Sequence, residues 1–348
     1  MPRLLVVGAG LAGLAAAHRA SELGCDVELI EAAGRPGGAL LAVDRLRVPI
    51  ATWEQLRARG APAEAGLEPA PTALPAPASP RRAAPAWSRW LPARARRRIA
   101  ELVGSPPAAA PARPAPPPSV LVDGPALARS LAAPLSVRVG WEVLEVATRE
   151  DAALLTYLAP SGERSLTADA VILATPAASL PRLVPSRSRE LRAAVEASSI
   201  QEAVAVQFGS PTGSGGDGPP PRVLPSDPER LSPVLIWAAW LAEGCVYAEL
   251  VPGAAETQGG ADDRALALSL AQVLAKMGEP VDSETARVAR WADPVLPSDA
   301  PDSEGRLFWV RRGPADLGVA GALEAGSRAA EQAAKTAAGP PAPPTPGR

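Results

Sequence analysis

The run Leu4-Leu5-Val6-Val7-Gly8-Ala9-Gly10-Leu11-Ala12-Gly13-Leu14, followed by Cys25-Asp26-Val27-Glu28-Leu29-Ile30-Glu31, constrains the fold of this chain more than any other feature. It reads as a buried strand, a tight glycine turn, a helix, a second strand and an acidic residue. In that setting each glycine has a mechanical task. Gly8 makes the turn, Gly10 lets the backbone come close to a diphosphate, and Gly13 lets the helix pack closely on the strand. The diphosphate would rest at the helix start, where unpaired N–H groups and the helix dipole favour negative charge. Glu31 follows about 20 residues beyond the turn, where a carboxylate accepts both hydroxyls of an adenosine ribose and disfavours a 2′-phosphate. Glycines recur wherever helices pack tightly, so the turn alone says little. The agreement of strand, helix and correctly spaced acid carries the reading.

Composition bounds what surrounds this unit. The chain has 348 residues, enough for two domains, and 47% of them are hydrophobic, enough for real cores. A net charge of -2 offers no electrostatic argument for nucleic acid. The only cysteines, Cys25 and Cys245, are far apart, which points to a reducing compartment and no disulfide framework. His18 is the only histidine and lies in the first helix, so Ser-His or Cys-His catalysis has no base. With so few nitrogen and sulfur ligands, no metal site is expected. The lysines, Lys276 and Lys335, fall on expected helices. The sequence opens directly on a strand and holds no apolar run of ~18 residues, so the expectation is a cytoplasmic protein without a leader or membrane span.

The 42 prolines cluster. Residues 61–86 and 104–118 are Ala/Pro-rich and nearly free of aromatics, as expected of extended or poorly ordered linkers. Between them, Trp87 and Trp90 are followed by Arg94, Arg96, Arg97 and Arg98. Such a stretch suits an acidic partner or peripheral membrane contact, but a short arginine-rich helix lying on its own domain is the simpler reading. Residues 210–228 form another break. A helix is expected from Ser188 to Ser198, strands over 203–208, 234–240 and 245–250, a helix from Asp262 to Met277 bearing Leu266, Leu270, Val273 and Leu274 on one face, and a strand over 286–294.

The tail of the front motif, Glu31-Ala32-Ala33-Gly34-Arg35-Pro36-Gly37-Gly38, resembles the glutamate, spacer, double-glycine pattern of the flavin amine oxidase superfamily, which includes protoporphyrinogen oxidases and phytoene desaturases. Three further stretches match in order. A short helix over 125–133 leads into strands over 136–139, 143–148 and 154–158; Ala168 to Pro176 resembles the return to the first domain; and Gly305 to Phe308 with Val319 to Ala330 resembles the closing strand and helix.

The resemblance implies an α/β fold: a Rossmann-like FAD-binding domain (1–50, 119–187, 301–338) interleaved with a smaller α+β substrate domain with an antiparallel sheet (188–300). Residues 51–118 would be a shortened Ala/Pro-rich lobe or linker and 339–348 a disordered tail. It further implies that FAD is held by the Gly8-Ala9-Gly10-Leu11-Ala12-Gly13 turn, by Glu31 and Ala32, and by the double-glycine loop. Val143 would contact the adenine through its backbone, Thr175 and Pro176 would pass the cofactor, and the helix start at Val319 would face the flavin. The flavin then accepts a hydride at N5 and no dedicated protein acid or base is required. The candidates for lining an apolar or amine substrate are Trp237, Trp240, Tyr247 and Trp291, of which at least two are expected to be plain core. Neither lysine matches the water-binding lysine of the amine oxidases.

The chain departs from the pattern in informative places. Ala39 stands where the family carries an arginine after the double glycine, with Arg35 as a substitute; Leu46-Arg47-Val48-Pro49-Ile50 stands where it has an acid and glycine. Arg311-Arg312 replaces the closing Gly-acid, and an arginine pairs with phosphate but accepts no hydroxyl. These departures keep a second reading open, a catalytically silent nucleotide-binding scaffold. A simple NAD enzyme is disfavoured by the double glycine and by the Ala174-Thr175-Pro176 turn.

Overall fold

The computed structural model describes residues 1–42, 45–62, 66–70, 119–149, 151–176, 179–184, 193, 196, 199–209, 222–224, 236–242, 245–250, 262–276, 279–295, 303–310 and 318–339. Strand β1 (Arg3–Val7), helix α1 (Leu11–Glu22) and strand β2 (Asp26–Glu31) form the expected opening unit. Strands β3 (Arg45–Pro49), β4 (Gly66–Ala70) and β5 (Ser119–Asp123) enclose helix α2 (Ile50–Ala58) in sequence. Helix α3 (Gly124–Ala132) follows, then β6 (Ser136–Val139), a meander of β7 (Glu142–Thr148), β8 (Ala153–Ala159) and β9 (Gly162–Ala168), and β10 (Ala170–Leu173). After the short α4 (Leu180–Leu183) come β11 (Ser199–Gly209), β12 (Arg222–Leu224), β13 (Ile236–Ala242), β14 (Cys245–Leu250), α5 (Asp263–Lys276) and β15 (Arg287–Val295). The described chain closes with β16 (Ser303–Glu304), β17 (Leu307–Trp309) and α6 (Gly318–Ala337).

The central sheet has the order β16-β17-β10-β1-β2-β6, parallel except for the β16–β17 hairpin. Its inner strands β1, β10 and β17 are buried on both faces, which explains their continuous apolar sequence. Alternation divides them between two cores. Leu4, Val6, Ile172 and Phe308 pack with α1, α3 and α6; Leu5, Val7, Val171, Leu173, Leu307 and Trp309 pack with the meander. The first core continues beyond residue 50, because Trp53 and Leu56 of α2 enter it beside Val48, Val120 and Val122. Asp123 caps α3 by accepting from the Ala126 N–H at 2.6 Å, with Pro125 in the first turn.

A separate antiparallel sheet, β12-β13-β14-β11-β15, buries Val204, Val206, Phe208 and Val246 against Leu266, Leu270, Val273 and Leu274 of α5. The helical face read from spacing is the buried one. Pro294 lies in β15, the sheet's edge, where a missing N–H is tolerated.

One expectation changes. Part of the 61–86 stretch read as an extended or poorly ordered linker is β4, which pairs with Ser119, Val120 and Val122 of β5. Pro69 fixes an extended φ and donates no N–H, which an edge strand tolerates, and β4 is an edge. The rest of 61–86 beyond residue 70, all of 104–118, the Trp87–Arg98 stretch and the tail beyond Gly339 lie outside the described residues. So does nearly all of the expected 188–198 helix.

Candidate cofactor site

The three glycines of the first turn differ in what requires them. Gly8 has φ +97, and a Cβ there would lie 2.7 Å from the Ala174 carbonyl oxygen. A Cβ on Gly13 would overlap the Gly8 carbonyl oxygen. Both are demanded by the protein's own packing. Gly10 is not: its φ is -70 and ψ 176, ordinary for any residue, and a Cβ there would meet no atom within 4 Å. Gly10 is also the N-cap of α1, where no side chain caps the helix and no acid occupies the first turn. Leu11 and Ala12 open that turn, which leaves backbone donors for a ligand.

The double-glycine loop lies directly across this turn. The Gly37 N–H donates to the Ala9 carbonyl at 2.8 Å, and Gly10 and Gly37 form a parallel bridge. Gly37 and Gly38 have φ of +134 and +51, and a Cβ on Gly38 would come within 3.1 Å of the Gly10 Cα. Gly38 to Leu41 form one 3-10 turn, so Ala39 is carried beside the first loop while Arg35 stands exposed on the approach to it.

Glu31 ends β2 half-buried. Its Oε2 accepts from the Ala9 N–H at 2.7 Å and its Oε1 from the Ala33 N–H at 2.8 Å. The carboxylate therefore stitches the first turn to the loop after β2, while each oxygen retains acceptor capacity for a hydroxyl. Sequence reasoning gave Glu31 only the ribose. The backbone role has no signal beyond the carboxylate's proximity to the turn.

On the other flank, the Ala174 N–H donates to the Val7 carbonyl at 2.8 Å and brings Thr175 and Pro176 beside Gly8. The Thr175 Oγ1 is buried without a hydrogen-bond partner. Such an atom costs about 1–3 kcal/mol unless something completes it. Val143 pairs with Tyr157 in the meander and its side chain is core. Val319 is the second residue of α6, whose Gly326 lies so close to Ala12 of α1 that a Cβ would overlap the Ala12 carbonyl oxygen. Arg311 and Arg312 lie outside the described residues.

His18 takes no part in the site. Its Nε2 lies 2.7 Å from the Leu131 carbonyl; a carbonyl only accepts, so Nε2 carries the hydrogen. Burial holds the imidazole pKa below its ordinary value. Trp240 and Trp291 pair through their backbones with Tyr247 and Ala203, Trp237 lies in β13, and Tyr247 is buried. Among the described residues no helix is long and apolar enough to cross a membrane, and no group of three or more His, Cys, Asp or Glu could hold a metal ion.

Comparison with known proteins agrees with this geometry. Residues 6–48 match the family model of the NAD(P)-binding Rossmann-like domain, and residues 119–236 that of flavin containing amine oxidoreductase. A putrescine oxidase double mutant redesigned for cofactor binding superposes with a TM-score of 0.61 at 16% identity, covering 95% of this chain and 98% of that one. A putative protoporphyrinogen oxidase from Exiguobacterium sp. 255-15 superposes with a TM-score of 0.58 at 13% identity, covering 96% and 99%. At those identities the likeness is one of fold. A hydroxyneurosporene desaturase from Cereibacter sphaeroides is 42% identical over 50 residues. That match spans 14% of this chain and only 10% of the desaturase.

Proposed function

We propose that the chain is an FAD-dependent oxidoreductase of the flavin amine oxidase-like kind, acting on a small apolar or amine molecule. The match of residues 119–236 to the flavin containing amine oxidoreductase model supports this. The observation that carries the reading is the contrast at the first turn: Gly8 and Gly13 are explained by protein neighbours, whereas Gly10 faces open space that leaves room for a ligand drawn against the backbone. The bare start of α1 and the uncompleted Thr175 hydroxyl support the same group. FAD would be held by the Gly8–Gly13 turn at its diphosphate, by Glu31 with Ala32 at its ribose, and by Gly37, Gly38 and Ala39 from the crossing loop. Val143, Thr175, Pro176 and Val319 would border it, within the domain division read from the sequence. Bound FAD would supply hydride acceptance. The protein's own contribution is orientation and an anion-binding backbone.

With Ala39 in place of an arginine, we assign the compensating positive charge to Arg312, aided by Arg311 and Arg35. Binding should then weaken with salt, as exposed charge pairs do. The purified protein should be yellow, and FAD titrated into stripped protein should bind more weakly to Arg312→Asp, with the difference shrinking at high salt. Colourless protein that takes up no FAD would overturn the reading and favour the silent scaffold, which Ala39 and the Arg311-Arg312 pair otherwise support.

A further inference from the structure

Of the four buried side-chain polar atoms that lack a hydrogen-bond partner among the described residues, two lie at neighbouring strand ends, Trp309 Nε1 and Thr175 Oγ1. Trp309 is the last residue of β17 and pairs with Leu173, the last of β10. Leu173 and Trp309 pack on the meander side and Ala174 on the α1 side, so alternation returns the Thr175 side chain to the meander side. The last backbone bond described between the two segments runs from the Val310 N–H to the Leu173 carbonyl at 2.9 Å. Beside it the two orphaned groups are diagonal neighbours, within reach of one shared partner, yet they do not bond each other.

The chemistry of the pair narrows the occupant. An indole N–H only donates, so the occupant accepts from Trp309; a hydroxyl donates and accepts, so Thr175 can complete the same atom. Trp309 is 2% exposed and belongs to the apolar core of Leu5, Val7, Leu173, Leu180 and Leu183. An ionised oxygen is too costly to desolvate there, and a cation would meet the positive end of the N–H dipole. A neutral oxygen remains. Water satisfies both groups and has the two polar partners a buried site requires.

We propose that Trp309 and Thr175 hold one buried water, and that through it Trp309 is a positioning residue for the nucleotide turn. The path is short. A Cβ on Gly8 would lie 2.7 Å from the Ala174 carbonyl oxygen and 3.5 Å from the Thr175 Cγ2, so the Gly8 turn rests against residues 174 and 175. The water ties those residues to β17 where the described ladder has ended. A hydroxyl has one hydrogen and two lone pairs, so Thr175 serves the water and a bound nucleotide together. The water itself is independent of the cofactor reading; the positioning role rests on it.

A crystal structure of the full chain that shows ordered solvent tests the water. An oxygen within about 3 Å of both Trp309 Nε1 and Thr175 Oγ1 is expected. A direct bond between the two side chains, or no ordered oxygen between them, would overturn the proposal whatever the nucleotide does. The positioning role is tested by a double-mutant cycle read by calorimetric titration with ADP, which carries the diphosphate and ribose without a flavin, and with FAD. Trp309→Phe, which keeps a ring but loses the donor, should weaken binding about threefold in wild type and beside Thr175→Ser, and should have no further effect beside Thr175→Val. Equal weakening in all three backgrounds would mean that Trp309 acts by packing alone. Where Trp309→Phe unfolds, the Trp309 indole N–H resonance should move in Thr175→Val and stay in place in Thr175→Ser; an unmoved resonance in Thr175→Val counts against the link. If wild type binds neither nucleotide while the water is present, the flavin reading and the positioning role fall and the water site stands.

Discussion

The Glu31 carboxylate accepts the Ala9 N–H at 2.7 Å, so the acid at the end of β2 builds the turn that follows β1 as well as facing a ribose. Removing it therefore frees two backbone donors and deletes two acceptors for hydroxyls. Glu31→Ala should weaken ADP and FAD binding tenfold or more, at least ~1.4 kcal/mol. Amide exchange at Ala9 and Ala33 should quicken in the same variant, because charge-assisted bonds to those N–H groups are lost. Slow exchange with weakened binding would mean that Glu31 serves the ligand alone.

Gly10→Ala and Gly13→Ala should part company. The first adds a methyl that touches no protein atom, so chemical unfolding should give a stability within about 0.5 kcal/mol of wild type while nucleotide affinity drops at least about tenfold. The second drives a Cβ into the Gly8 carbonyl and should cost about 1–3 kcal/mol or more in stability, whatever happens to binding. A Gly10→Ala protein that binds FAD normally would contradict the placement of the diphosphate.

Acid should destabilise the protein in part through His18. The folded pKa lies below the ordinary value of 6.5, chiefly through desolvation, so the unfolded chain binds more protons as pH falls through that value. Stability from the neutral imidazole is thus complete above about pH 6.5 and is lost as the solution is acidified towards the folded pKa. His18→Gln, measured by urea unfolding between pH 8 and pH 5, should flatten this part of the profile. An unchanged slope would show that the acid sensitivity comes from elsewhere.

Gly326→Ala tests the contact between the first and last helices. Its Cβ would overlap the Ala12 carbonyl oxygen, so α6 must retreat from α1. The expected cost is about 1–3 kcal/mol with a lower Tm. Nucleotide affinity should fall as well, because Ala12 belongs to the turn that starts α1. Retained stability would mean that the two helices slide apart freely.

The front motif was legible because its constraints are local: turn, helix and strand lie within about thirty residues, as in any βαβ unit. The buried strands and the α5 face were legible for a similar reason, since apolar run and period report burial directly. β9 was missed although Pro160-Ser161-Gly162 is a recognisable turn, with Gly162 at φ +104, because its Glu163-Arg164-Ser165 stretch is polar and exposed. α2 was missed for the opposite reason. Only Thr52, Trp53 and Leu56 are buried in it, too few to show a period. The Trp141–Tyr157 stack joins the residue that precedes β7 to one on β8 and depends on the register of those strands, which composition cannot reveal.

The close seat of Gly326 on Ala12 has a kinetic consequence. The glycine turn is synthesised before two of its supports, β10 and α6, which lie far downstream of it in the sequence. A growing polypeptide therefore carries its nucleotide turn half-built, with the apolar flank of α1 uncovered, until some three hundred further residues have emerged. Long-range closure of this kind makes the late steps of biogenesis the vulnerable ones. Ligand supplied during refolding should raise the yield of native protein most when added after the C-terminal helix is available to dock.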